Sequence, residues 1–160
     1  EFTKDRPAKK PLSWRVPVIA QAIGGEPVRA MVSGGSASVE VPGCAPVIVN
    51  AGQSGYYRTL YAPEQFSEIR DGFVKLAPID QLGLINDTWA LSMAGAQPAS
   101  RFLDLASATP VDADPQLWGD IAGSLGSLDS YYRGDAARQA TFRKFAIAQL
   151  APVFARPLSA

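Results

Sequence analysis

Pro46-Val-Ile-Val-Asn-Ala-Gly-Gln-Ser-Gly-Tyr-Tyr-Arg-Thr-Leu-Tyr61 is the stretch at which the chain changes its hydrophobic period. Upstream, apolar residues come in short β-branched runs broken by turn formers. Downstream they recur every three or four residues. Within the stretch, Val47 and Val49 alternate with Ile48 and Asn50, and Tyr57, Thr59 and Tyr61 alternate with Tyr56, Arg58 and Leu60. That is the two-residue period of strands. Asn50-Ala-Gly-Gln-Ser-Gly55 lies between, rich in residues that accept positive φ or bond their own backbone. The pattern predicts a strand over 46–50, a tight loop, and a strand over 56–61.

Working outward, three more strands are predicted upstream, over 14–20, 28–32 and 37–41. Ser33-Gly-Gly-Ser36 forms a hairpin signal, and Gly24-Gly25 and Pro42-Gly43 mark further turns. Pro17 carries no N–H and demands an edge or a bulge. Five short strands at this spacing argue for a small β-sandwich. A core of that size is marginal alone and is expected to lean on a neighbour.

Downstream, Phe66, Ile69, Phe73 and Leu76 step at helical spacing after Pro63, with Gly72 weakening the middle of the run. A second helix is expected from Pro78 to Gly95, burying Leu82, Ile85, Trp89 and Ser92 or Met93, with Asn86 and Asp87 on its other face. A short helix over 98–108 carries Phe102, Leu103 and Leu105. Asp114-Pro115 opens a helix whose stripe is Leu117 or Trp118, Ile121, Leu125, Leu128 and Tyr132. After Gly134, Asp135 caps a last helix with Phe142, Phe145, Ala146, Leu150 and Val153, in which Pro152 is expected to introduce a kink. Short-looped helices of this kind predict antiparallel pairs stacked like a solenoid. The expected division is a linker over 1–12, a β domain over 13–62 and a helical domain over 63–160.

The 15 basic and 15 acidic residues cancel, which disfavours nucleic acid and anionic membranes as partners. The run over 16–23, broken by Pro17 and Gln21, is far too short to span a bilayer. The single cysteine, Cys44, excludes an internal disulfide and a cysteine-built zinc cluster. The absence of histidine has the widest consequence. It removes His-ligated zinc, Ser-His and Cys-His nucleophile pairs and imidazole bases from this chain.

No remaining motif carries chemistry of its own. Gly52-Gln-Ser-Gly55 has Tyr56 where a nucleophile elbow needs its second glycine, and no histidine could activate Ser54. Asp112, Asp114 and Asp120 offer oxygens near one helix start but lack the spacing of a calcium loop, so capping and solvation are the expected roles. Glu64 and Glu68 suit a helix start and a solvated face. Asn86-Asp-Thr88 matches a glycosylation acceptor but falls within a predicted helix. Tyr56, Tyr57 and Arg58 read as packing and solvent positions, and Trp89 and Trp118 as core. Catalytic, cofactor-binding and metal-binding residues are all expected to be absent.

Val49-Asn-Ala-Gly-Gln-Ser-Gly-Tyr-Tyr-Arg58, followed by Tyr61 and a helix, resembles the last sandwich strands of the M1 family of zinc aminopeptidases. Trp14-Arg-Val-Pro-Val18 resembles that family's Trp-x-Val-Pro-Leu strand. Leu84-Ile-Asn-Asp-Thr-Trp-Ala-Leu-Ser-Met-Ala-Gly95 resembles its Leu-Ile-Asp-Asp-Ala-Phe-Ala-Leu-Ala-Arg-Ala-Gly helix. One departure is Asp80-Gln81, where the family often has Asp-Arg, which removes a docking ion pair. The resemblance implies a non-catalytic C-terminal segment that positions and encloses the active site of a parent enzyme. The parent's zinc would be held by a His-Glu-x-x-His motif lying outside this chain. The partners implied are the parent's own catalytic domain and its peptide substrate. The chain is then expected to be an excised piece, with an uncovered helical face through which copies self-associate. The alternative is a free-standing protein-binding or adaptor module. The cellular compartment is not readable from the sequence.

Overall fold

The computed structural model describes residues 13–155, so the predicted linker over 1–12 lies outside the described residues. The order is β then α. Strands β1 (Arg15–Ala22), β2 (Pro27–Ser33) and β3 (Val47–Val49) precede helices α1 (Pro63–Asp71), α2 (Pro78–Met93), α3 (Ser100–Ala108), α4 (Pro115–Tyr131) and α5 (Ala136–Phe154). The sheet is antiparallel in the order β2-β1-β3. β1 meets β2 from Arg15 opposite Ser33 to Gln21 opposite Pro27, whereas β3 covers its other edge only at Ala20–Ala22. Pro17 therefore sits where β1 is paired on one side alone, which resolves how a proline enters the middle strand of the sheet.

Two predicted strands are not formed. Residues 37–41 join no sheet. Beyond β2 there is an isolated bridge between Ser33 and Ser36, and Val39 and Val41 are only half-buried. With no second layer to bury them, their alternation does not make a strand. Residues 56–61 bend at Tyr56 and Tyr57 and lie outside the ladder, because side chains on the helices take their backbone groups: Asp87 binds the Thr59 N–H and Arg101 binds the Tyr61 carbonyl. The strands among the described residues thus form one three-stranded layer instead of the expected two-layer sandwich.

Four of the five helices among the described residues begin where the sequence places them, and α3 begins at Ser100 instead of the expected Pro98. Pro63, Pro78 and Pro115 occupy first turns, and the Asp114 and Asp135 carboxylates accept from the backbone N–H of Gln116 (2.8 Å) and Arg138 (3.0 Å). Gly72 ends α1, and a single 3-10 turn over Phe73–Lys75 follows. The stripe Phe66, Ile69, Phe73 and Leu76 is nevertheless buried throughout. Gly72 also permits a close approach of the turn after β1 to the end of α1, since a β-carbon there would lie 2.7 Å from Ile23 Cδ1. The α5 helix continues through Pro152 to Phe154.

One apolar cluster joins both parts. Ile48, Ala51 and Tyr61 share it with Phe66, Ile69, Phe73, Ile85, Phe102, Leu105, Leu117, Ile121 and Leu125. Trp118 is buried and its indole N–H donates to the Pro110 carbonyl at 3.0 Å; Trp89 packs edge-on against Phe102 at 5.2 Å. No helix among the described residues is long and apolar enough to cross a membrane.

Candidate functional site

Among the described residues, the densest polar arrangement is the junction between the loop after β3 and α2. Asp80 and Asp87 stand seven residues apart, about two helical turns, and so face the same way. Both are almost wholly buried, Asp80 at 7% and Asp87 at 5% exposure. Buried carboxylates must be satisfied by donors, and here the donors come from the loop after β3.

That loop is shaped to supply them. Asn50 adopts the left-handed conformation with φ 66°, which asparagine tolerates better than most residues. Its side chain closes the turn: Oδ1 accepts from the Gly55 N–H (2.7 Å) while Nδ2 donates to the Gly55 carbonyl (3.0 Å). The turn aims the Gly52 N–H at Asp80 Oδ1, 2.7 Å away. Gln53 lies against Gly83 of α2, where any β-carbon would overlap its side-chain amide. A glycine inside a helix costs about 1 kcal/mol relative to alanine, and this contact gives the reason for one there.

Asp87 binds the other end of the loop. Oδ1 accepts from Arg58 Nη1 at 2.9 Å, and Oδ2 accepts from the Thr59 N–H at 2.8 Å. Arg58 is about half exposed, so water shares this ion pair from one side only. Tyr61 is buried, and its hydroxyl oxygen accepts from the Val49 N–H at 2.9 Å, tying the loop's exit to its entry. Burial is the main reason its pKa is pushed up to about 12; the Val49 backbone opposes the shift, and the charges of Asp87 and Asp80 add to it. Arg101 of α3 donates to the Tyr61 carbonyl at 2.9 Å and lies 4.8 Å from the centre of the Phe66 ring.

The space enclosed by Ile48, Val49, Gln53, Tyr61, Asp80, Leu84 and Asp87 is about 10 Å³. It holds at most one water, so the junction is a fastening and not a substrate pocket. Two larger hollows open elsewhere. One of about 440 Å³ lies along Leu103, Tyr132, Arg138, Phe142 and Phe145, and one of about 300 Å³ lies along Pro78, Ile79, Leu82, Asp114 and Leu117.

The residues singled out from the sequence are dispersed. Ser54 and Tyr56 are exposed on the loop, and Glu64 and Glu68 are exposed on α1. Asp114 caps α4, whereas Asp120 accepts from Asn86 (3.1 Å) and Gln116 (2.8 Å). Thr88 of the glycosylation-like triplet is buried. Asp87 is the substantive correction. The helical stripe put it on an outer face with Asn86, but it is buried because its partner Arg58 lies 29 residues earlier, a pairing that apolar periodicity does not register. Gln81, where the resembled family often has arginine, keeps a docking bond all the same: its amide donates to the Phe73 carbonyl at 3.0 Å.

The donor set does not fit a zinc centre. The chain has no histidine, and no three His, Cys, Asp or Glu residues gather among the described residues. The buried Asp80 and Asp87 already accept from the loop.

Fold and junction together define a class of structure, a small sheet fastened by buried carboxylates to the start of a helical stack. Residues 46–157 match the ERAP1-like C-terminal domain model, and the chain belongs to that family. It is 30% identical over 115 residues to Tricorn protease-interacting factor F2 of Thermoplasma acidophilum, covering 72% of this chain and 14% of that protein. It is 27% identical over 124 residues to puromycin-sensitive aminopeptidase of Caenorhabditis elegans (72% of this chain, 13% of that protein). It is 32% identical over 82 residues to aminopeptidase 2 of Candida albicans (50% and 9%). The chain thus spans about a seventh or less of these relatives and corresponds to the C-terminal domain of aminopeptidase-like proteins.

Proposed function

We propose that this chain is a non-catalytic C-terminal segment of a zinc-dependent M1 aminopeptidase that removes N-terminal residues from peptides, and that it positions and encloses the parent's active site. The observation that carries the reading is a contrast. A chain related to aminopeptidases over most of its length has no histidine at all, and the two carboxylates buried among the described residues, Asp80 and Asp87, fasten its own loop. In this reading residues 13–62 serve as the β domain and 63–160 open the helical one, with 1–12 as the connector. Zinc belongs to the parent and not to this segment. Its partners are the catalytic domain of the same polypeptide and the parent's peptide substrate. The exposed side chains of Tyr131, Ile147 and Phe154 give copies of the isolated chain a surface through which to self-associate.

The test is to read the coding sequence upstream in the same frame and to assay both proteins on aminoacyl substrates. The expected outcome is a His-Glu-x-x-His motif upstream, zinc-dependent hydrolysis by the full polypeptide, and none by the 160-residue chain. Hydrolysis by the isolated chain, or an upstream frame with no such motif, would overturn the proposal.

A further inference from the structure

We infer that Asp80 and Asp87 make the segment between β3 and α1 a rigid strut, so that the sheet and helices α1–α3 move as one mechanical body with no hinge between them. A linker between two parts of a chain is ordinarily the natural place for movement, because few contacts cross it. This one is held at every stage. Its entry, Val49, binds the Tyr61 hydroxyl; its turn is closed by Asn50; Gly52 is bound by Asp80, Thr59 by Asp87, and the Tyr61 carbonyl by Arg101. Three of these five ties come from helices α2 and α3. Two are backbone N–H groups bound by carboxylates at 2.7 and 2.8 Å, and hydrogen bonds to charged acceptors are roughly twice as strong as neutral ones.

The packing adds to the bonding. Ile48 and Ala51 belong to the same apolar cluster as the helices, and Gly72 and Gly83 are the places where Ile23 and Gln53 press against α1 and α2. Bending the strut would break the bonds that satisfy Asp80 and Asp87, and a buried charge that loses its partners is costly. A fold of this kind gives way all at once or not at all. The mechanical consequence rests on the aminopeptidase reading: if this segment closes over a catalytic domain, the movement must hinge upstream of β1 or beyond α3.

Native-state hydrogen exchange on the 160-residue chain tests the strut directly, through the Gly52 and Thr59 amides. Their protection is expected to lie within about tenfold of the Ile85 and Leu91 amides of α2 and to share their dependence on denaturant, as members of one cooperative unit do. Exchange about a hundredfold faster than α2, insensitive to denaturant, would mean that the loop opens locally and would overturn the inference. The substitution Asp87→Asn keeps an acceptor oxygen but removes the charge. It is expected to lower the protection of Thr59, Ile85, Phe102 and Leu105 together by about tenfold, and a loss confined to Thr59 would overturn the inference. Unchanged Thr59 protection in that variant would remove Asp87 from the strut. If the variant does not fold, the unsubstituted chain still decides the matter. None of these readouts depends on the enzymatic reading, which the upstream frame tests separately.

Discussion

Helices α2 and α5 are of similar length and both are studded with apolar side chains, yet they live in different surroundings. In α2, buried positions include Asp80, Gln81, Asp87 and Thr88 as well as Leu84, Ile85 and Leu91, because the sheet's loop packs on one side and α3 and α4 on others. In α5 only Phe142 is buried, and Ile147 and Phe154 are 64% and 78% exposed. Place in the stack, and not composition, sets how much a residue of either helix matters. A helix with neighbours on several sides draws even its charges into the interior, whereas one at the end of the described stack leaves large apolar side chains in water.

The sharpest way to break this comparison is a matched pair of truncations. Ile85→Ala in α2 should cost about 2–5 kcal/mol, since Ile85 is wholly enclosed and its removal leaves a cavity. Ile147→Ala in α5 should change stability by no more than about 0.5 kcal/mol. Urea unfolding of both variants reads the difference, and equal losses would refute the ranking.

Next in size is Asp87→Ala. It strands the Thr59 N–H and leaves Arg58 unpaired, at a cost of about 2 kcal/mol; the half-exposed Arg58 keeps the figure below that of a fully buried pair. A loss below about 0.5 kcal/mol in the same unfolding assay would mean that water replaces Asp87 without penalty.

Tyr61 sharpens the comparison by pH. Its folded pKa of about 12 lies above the ordinary value of 10.0, so between those values the native state holds a proton that the unfolded chain has given up. Stability from this residue is therefore intact below pH 10.0 and is lost as pH rises toward about 12. Tyrosinate absorbance should show Tyr61 ionising together with unfolding, and Tyr61→Phe should abolish that step at a cost of about 1 kcal/mol for the lost Val49 bond. Ionisation of every tyrosine near pH 10.0 with the fold intact would contradict the burial.

The smallest expected contrast is between two caps. Asp114→Ala should cost about 1 kcal/mol, because α4 carries the core stripe behind its cap. Asp135→Ala should cost less, about 0.5 kcal/mol, because the helix it starts is loosely held. Thermal unfolding of the two variants measures both, and the reverse order would place α5 deeper in the structure than its exposure indicates.

Much of this architecture was legible from residue order. The change of period at Pro63, the first-turn prolines, the caps at Asp114 and Asp135 and the stripe Leu117, Ile121, Leu125 and Leu128 depend on neighbours within a few positions, and local spacing encodes them. The misreadings share one cause. Residues 56–61 alternate as a strand would, but their backbone groups go to Asp87 and Arg101, which arrive from 28 and 40 residues away. Val39 and Val41 have strand chemistry and lack a layer to cover them.

By itself, then, the sequence determined where the chain passes from strands to helices and where most of the helices start, because those choices are settled between residues that touch along the chain. It also settled, through the absence of histidine, that this chain itself carries no imidazole group. Tertiary structure alone decided that Asp80 and Asp87 face inward and that the loop is bound to helices instead of to a strand. A carboxylate is buried or exposed according to whether donors from a distant part of the chain reach it, and that depends on how the whole chain closes.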